Sequence, residues 1–230
     1  MKLYYIRHGY PLYEPNCLTE RGKYEARCVA DYLKDLGIKK VIASDSNRAI
    51  ETASYLTDII KLPIIQYHSL NEDVASQYFS IVENNKFLWV FWSKKVMDLM
   101  RRHKNDKNWL SSSDFKDYKM CEGFKICSNE FDNILLSLNI VHDRNSKLYS
   151  ANGDYPDTVA IFAHGGMGMA FVPSLLDESY CDFCLEHNHL DTAAIAIFDI
   201  DLENTHKIKL IEYNKIVYNP LKAEKLSIEK

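Results

Sequence analysis

Two histidines in this 230-residue sequence follow apolar runs and are each followed by glycine: Arg7-His8-Gly9 after Leu3-Tyr4-Tyr5-Ile6, and His164-Gly165-Gly166 after Val159–Ala163. Two further runs lead into charged residues, Asp45 with Arg48 after Lys40–Ala43, and Glu72 after Pro63-Ile64-Ile65. Those residue types suit phosphoryl transfer. A neutral imidazole can attack phosphorus when a hydrogen bond to its other nitrogen fixes the tautomer. Guanidinium forks match the charge spread over the equatorial oxygens of the transferring group. A second imidazole, if protonated, adds a donor, and a carboxylic acid can protonate the leaving alkoxide. Glycine beside each histidine lets backbone approach the phosphate closely. The scheme requires no metal or cofactor, and no carboxylate-rich metal motif is present.

The elements that must position these groups alternate. Residues 2–7 read as a strand. Thr19 then caps a helix whose stripe is Tyr24, Cys28, Val29, Tyr32, Leu33 and Leu36, with Gly37 as its stop. Lys40–Ala43 reads as a short strand, and Ser46 or Asn47 opens a helix with Ala49, Ala53, Leu56 and Ile60 on one face. A further strand begins at Pro63. After a different middle third, Thr158–Ala163 is a strand followed by a helix beginning near Met167. Residues 192–200 and 206–213 read as closing strands around a polar turn at Glu203-Asn204. Strands alternating with amphipathic helices predict a three-layer α/β/α sandwich with a mostly parallel sheet. In such sheets ligands bind beyond the carboxyl ends of the strands, so Arg7, His8, Arg48, Glu72 and His164 are expected at one rim.

Residues 73–157 break the rhythm. The spacing predicts helices over 86–103 and 115–139, the second after a Ser111-Ser112-Ser113-Asp114 start signal, and a hairpin turn at Asn152-Gly153 between Tyr149 and Tyr155. The segment reads as a helical insertion, a cap over the pocket, within one domain spanning 1–230.

Composition narrows the class. With 47% hydrophobic and 26% charged residues there is material for a sizeable core, and a net charge of -4 offers no global field for nucleic acid or anionic membrane. No apolar run approaches membrane-spanning length, and the first residues lack a signal-peptide core, so the cytoplasm is the expected compartment. Six scattered cysteines do not form a disulfide framework. Cys181-Asp182-Phe183-Cys184, with His187 and His189 nearby, has redox or zinc spacing, but a lone pair of this kind reads as structural thiols.

The blocks Arg7-His8-Gly9, Leu18-Thr19-Glu20-Arg21-Gly22, Ser44-Asp45-Ser46-Asn47-Arg48-Ala49-Ile50-Glu51-Thr52-Ala53, Leu70-Asn71-Glu72 and His164-Gly165-Gly166 together resemble the histidine phosphatase (phosphoglycerate mutase-like) superfamily, of the branch 1 type. They cover the first 72 residues and the stretch after about 158. The resemblance implies that His8 is phosphorylated, that Arg7, Arg48 and His164 hold the phosphoryl oxygens, and that Glu72 is the general acid/base. It implies a metal-independent phosphatase acting on a small phosphorylated substrate, and leaves the substrate and oligomeric state open. The glycine-and-acid motif often found after the family's acid residue is missing, as is the Arg-His-Tyr of cofactor-dependent mutases; here the chain continues Asp73-Val74-Ala75.

Other readings compete. The protein could be an isomerase of the phosphoglycerate mutase kind, or a non-catalytic phosphate-binding module. The histidines could be ordinary buried side chains. Arg7 and Arg48 could pair with Asp45 or Glu51, and Glu72 could be a solvated loop carboxylate. Arg101, Arg102, Lys104 and Lys107 read as a solvated helix end, and Trp89, Phe91 and Trp92 as packing.

Overall fold

The computed structural model describes residues 1–228. The chain runs β1 (Lys2–Arg7), a small ribbon of β2 (Pro11–Leu12) and β3 (Cys17–Leu18), α1 (Glu20–Leu33), β4 (Lys40–Ser44), α2 (Asn47–Ile60), β5 (Ile64–Tyr67) and α3 (Glu72–Phe79). There follow the hairpin β6 (Ser80–Glu83) and β7 (Lys86–Trp89), α4 (Lys94–Arg102), α5 (Met120–Ser137), and the hairpin β8 (Ile140–Asp143) and β9 (Leu148–Ala151). The last part holds β10 (Thr158–Ala163), α6 (Gly165–Leu176), α7 (Tyr180–Glu186), β11 (Ile195–Ile200), β12 (Ile208–Lys215) and α8 (Pro220–Ile228).

Six strands form one mixed sheet in the order β12-β11-β1-β10-β4-β5. The pairs β1–β10, β10–β4 and β4–β5 are parallel, and β11 and β12 add antiparallel at one edge. Alternation along the strands divides the apolar side chains. Tyr4, Ile6, Val41, Ala43 and Phe162 point to a cluster with Val29, Ala30 and Leu33 of α1 and Ala53 and Leu56 of α2. Leu3, Tyr5, Ile42, Val159 and Ile161 point the other way, to Phe79 of α3, Phe131 and Leu135 of α5, and Phe171 and Leu175 of α6. A sheet strand buried on both faces must be apolar on both, which is why β10 reads as a continuous run. The fold is therefore an α/β/α sandwich with a mostly parallel sheet.

Thr19 caps α1 by accepting from Gly22 N. Ser46 is the residue before α2, but its side chain makes no capping bond.

The middle segment is more mixed than its helical pattern suggests. The predicted helix over 86–103 is instead strand β7, a short 3-10 turn at Val90–Trp92, and α4. Asn84 and Asn85 both take left-handed backbone (φ 52 and 59), which makes the tight turn joining β6 to β7. The second predicted helix begins later, at Met120, because Ser112 accepts from Asp114 N and starts only a 3-10 turn. Asn152-Gly153 is not the hairpin turn: that lies between Asp143 and Leu148, and Asn152 N donates to Asn139 O just past β9. β11 starts at Ile195, after a turn in which Ala193 adopts φ 54 and donates to His8 O. This segment supplies α5 and most of α3 to one outer layer.

Candidate active site

β1 and β10 are parallel neighbours in register, Arg7 opposite Ala163, so the residues just past their ends emerge side by side. His8 and His164 are both buried there, with ring centroids 5.1 Å apart. β4 lies beyond β10 and delivers Arg48 on the first turn of α2. Glu72 opens α3 after β5. All five residues expected at the rim meet there.

The hydrogen bonds define the ionic state. His8 Nδ1 donates to Gly9 O at 2.7 Å, so Nε2 keeps its lone pair, and Arg48 Nε donates to it at 3.2 Å. Burial, with the charges of Arg7 and Arg48, holds His8 well below the ordinary imidazole range. In His164, Nδ1 accepts from Arg48 Nη2 at 3.0 Å and Nε2 faces Ser44 Oγ at 2.9 Å. Burial, then His8 and both arginines, depress it likewise, so the free site contains two neutral imidazoles. The condition attached to the second imidazole, that it be protonated, is thus not met in the free site, although Glu72 Oε2 lies 3.5 Å from His164 Nδ1.

Arg48 is buried, and desolvation lowers its pKa. Its Nη1 donates to Asn16 Oδ1 at 2.9 Å. Arg7 Nη1 donates to Leu190 O at 2.6 Å and lies 3.3 Å from His189 Nδ1, while its buried Nε has no partner. Among the described residues neither arginine is in an ion pair. Asp45 is engaged with His68 and Asn71 at 2.8 and 2.6 Å, and Glu51 accepts from Leu18 N at 2.7 Å. Neither serves as the surface partner that the competing reading requires. A buried Arg48 and a half-buried Arg7, neither in an ion pair and the second with an orphaned Nε donor, form an electrostatic demand for an anion.

Glu72 is no solvated loop carboxylate. Its Oε1 accepts from Gly166 N at 2.8 Å. Burial raises its pKa to about 7, against the pull of Arg7 and Arg48. Gly166 is required by crowding: a Cβ there would sit 2.2 Å from Glu72 Oε1 and 2.5 Å from the Trp89 ring.

Several supporting groups were not singled out from sequence. Thr52 Oγ1 accepts from Gly9 N at 3.0 Å and donates to Arg48 O at 2.7 Å. Ser44 orients His164, Asn16 holds Arg48, and Tyr5 Oη donates to His164 O at 2.8 Å. Ser44 and Thr52 lie inside blocks that resemble the family, whereas Asn16 carries no such signal.

The remaining motifs lie elsewhere. Cys181 and Cys184 are buried free thiols whose pKa values burial pushes up. Their neighbouring histidines diverge: His187 packs on Phe183 and Tyr213, and His189 turns to Arg7. The basic cluster forms ion pairs, Arg101 with Asp98 and Lys104 with Glu186 at 3.2 Å. No helix among the described residues is long and apolar enough to cross a membrane.

Comparison with known proteins adds to this geometry. The sequence profile of the histidine phosphatase superfamily (branch 1) matches residues 3–83. A protein of Erwinia tasmaniensis described as "Probable phosphoglycerate mutase GpmB" is 32% identical over 89 residues, 34% of this chain and 41% of that protein, so the match spans less than half the relative's length. A mycobacterial glucosyl-3-phosphoglycerate phosphatase superposes with a TM-score of 0.60 at 18% identity, over 93% of this chain and 98% of that one. Phosphoserine phosphatase from Entamoeba histolytica, solved with 3-phosphoglyceric acid, gives 0.57 at 17% identity, over 93% and 96%. At such identities the structural likeness establishes the fold.

Proposed function

We propose that this chain, whose residues 3–83 match the histidine phosphatase superfamily (branch 1), is a member of that superfamily and hydrolyses a phosphate monoester through a phosphohistidine on His8. The observation that carries the proposal is the pairing of a fixed imidazole tautomer with two guanidinium groups that lack counter-ions.

In the first step the substrate phosphate displaces Arg48 Nε from His8 Nε2. The Nε2 lone pair forms the N–P bond as the bridging P–O bond breaks. Arg7 and Arg48 hold the equatorial oxygens. The arriving anion offsets the positive field that keeps His164 neutral, so this imidazole takes up a proton from solvent on binding and donates to the phosphoryl group. The electron pair of the broken bond goes to the alcohol oxygen, which takes the proton of Glu72. With a pKa of about 7, Glu72 carries that proton in much of the population at neutral pH. In the second step the Glu72 carboxylate accepts a proton from water, and the water oxygen attacks phosphorus. Phosphate leaves, and His8 and Glu72 return to their starting states. The reaction consumes a small phosphorylated molecule and water, and routes no step through a metal.

His8→Ala is expected to reduce turnover of p-nitrophenyl phosphate by at least about 10³-fold and to abolish acid-labile phosphate labelling. Substantial turnover in that variant overturns the proposal. The match to the mutase-named protein favours a second reading, in which the phosphoryl group passes from His8 back to an organic acceptor. Release of inorganic phosphate without an isomerised product separates the two.

A further inference from the structure

We infer that the alcohol portion of the substrate carries a flat, apolar body, gripped by an aromatic collar around the phosphate site. This inference rests on the phosphatase reading and names the substrate class for the same site.

The collar is tied to the site at three points. The ring edge of Trp89 and the carboxyl of Glu72 crowd the same face of Gly166: an added Cβ would lie 2.5 Å from Trp89 Cη2 and 2.2 Å from Glu72 Oε1. Glu72 is the group that protonates the leaving oxygen, so whatever is attached to that oxygen must pass the Trp89 ring. From there the aromatics continue outward. Trp89 stacks on Phe91 with centroids 5.6 Å apart, and Phe91 meets Trp92 edge-on at 5.5 Å. Trp92 in turn contacts His189 at 5.5 Å, whose Nδ1 faces Arg7. Across the site the Tyr13 ring lies 5.6 Å from the Arg48 guanidinium.

Exposure separates this arrangement from ordinary packing. Six of the thirteen large apolar side chains exposed among the described residues fall in two short stretches, 10–13 and 82–92. Trp92 is 55% exposed and Tyr13 66%. Exposed apolar side chains scattered singly need no explanation, but a cluster rimming a polar centre marks a binding surface. Trp89, Trp92 and Tyr13 offer flat faces rather than charge, with the buried Phe91 ring backing Trp89. They favour an aromatic or similarly flat body by stacking over a small, strongly hydrated one.

The test compares 2-phenylethyl phosphate with ethyl phosphate, whose alcohols differ little in acidity, so that leaving-group chemistry is held nearly constant. The expected ratio of kcat/KM is about 10-fold or more in favour of the phenyl compound. Trp92→Ala and Tyr13→Ala should each reduce that ratio by roughly 3-fold or more. Affinity for 2-phenylethylphosphonate against ethylphosphonate, measured by calorimetry, reads the preference without any chemistry. Equal affinities and equal kcat/KM values in an enzyme that still turns over overturn the collar and leave the phosphatase reading intact. A preference in binding with no turnover of either ester overturns the phosphatase reading alone.

Discussion

The molecule buries imidazoles in two regions and treats them oppositely. At the sheet rim, His8 and His164 sit among arginines, and burial plus positive neighbours leaves both neutral. At the far side of the outer layer, the buried side chain of His142 on β8 lies between two carboxylates, Asp132 Oδ1 at 3.1 Å and Asp177 Oδ2 at 3.0 Å. Burial pulls its pKa down too, but the two carboxylates outweigh that and the net shift is upward. Arg144 completes the second group with two bonds to Asp132, at 2.6 and 2.8 Å, and Tyr149 stacks on the His142 ring at 4.2 Å. With His142 protonated, two cations there meet two anions. Desolvation is common to both sites; what differs is the sign of the neighbours. One region is internally neutral and fastens α5, β8 and the end of α6 together. The other is left with positive charge to offer a ligand.

The strongest challenge to this contrast is Arg48→Ala. Loss of one guanidinium that holds the phosphoryl group should lower kcat/KM by about 10³-fold. It should also move the acid limb of the pH profile to higher pH, because a group that depresses His8 is gone and His8 must be neutral to attack. An unmoved limb would show that Arg48 does not set the proton on His8.

His142→Gln tests the other region and should destabilise the fold by about 3 kcal/mol, since it removes one partner of a buried charge group. The folded pKa of His142 is raised, so its stabilisation is complete below the ordinary imidazole value of about 6.5 and fades as pH rises through the raised one. Denaturant unfolding of wild type and variant should therefore converge with rising pH. A gap independent of pH breaks the argument.

Glu72→Gln is expected to have the smallest effect of the three, a loss of about 10²-fold in kcat with an alkyl phosphate. Wild-type activity should fall as pH rises through about 7, where Glu72 gives up its proton, and the variant should lose that limb. The loss should be smaller with p-nitrophenyl phosphate, whose leaving group needs no proton.

What the sequence revealed depended on how local the physics was. β1, α1 with its Thr19 cap, β4 and β10 were legible because apolar periodicity and capping are written in consecutive residues. The gathering of Arg7, His8, Arg48, Glu72 and His164 followed from one rule of parallel sheets applied to those strand ends. The β6–β7 hairpin was not legible: Leu88, Trp92, Leu99 and Met100 fit a helical stripe, and the backbone of Asn84 and Asn85 overrides it at the start. Nor could sequence show that Asn16 and Ser44 hold Arg48 and His164, since both contacts close long loops. The proton on His164 depends on total burial, a property of the assembled layers.

Thr52 gives the rim a mechanical property. Its hydroxyl takes the amide hydrogen of Gly9 and gives its own to the Arg48 carbonyl, one turn back on α2. The loop bearing the attacking nitrogen and the helix bearing the chief cation are thereby bolted through a single oxygen atom. Their separation is a dimension of the frame, inherited from backbone, and substrate need spend nothing to set it.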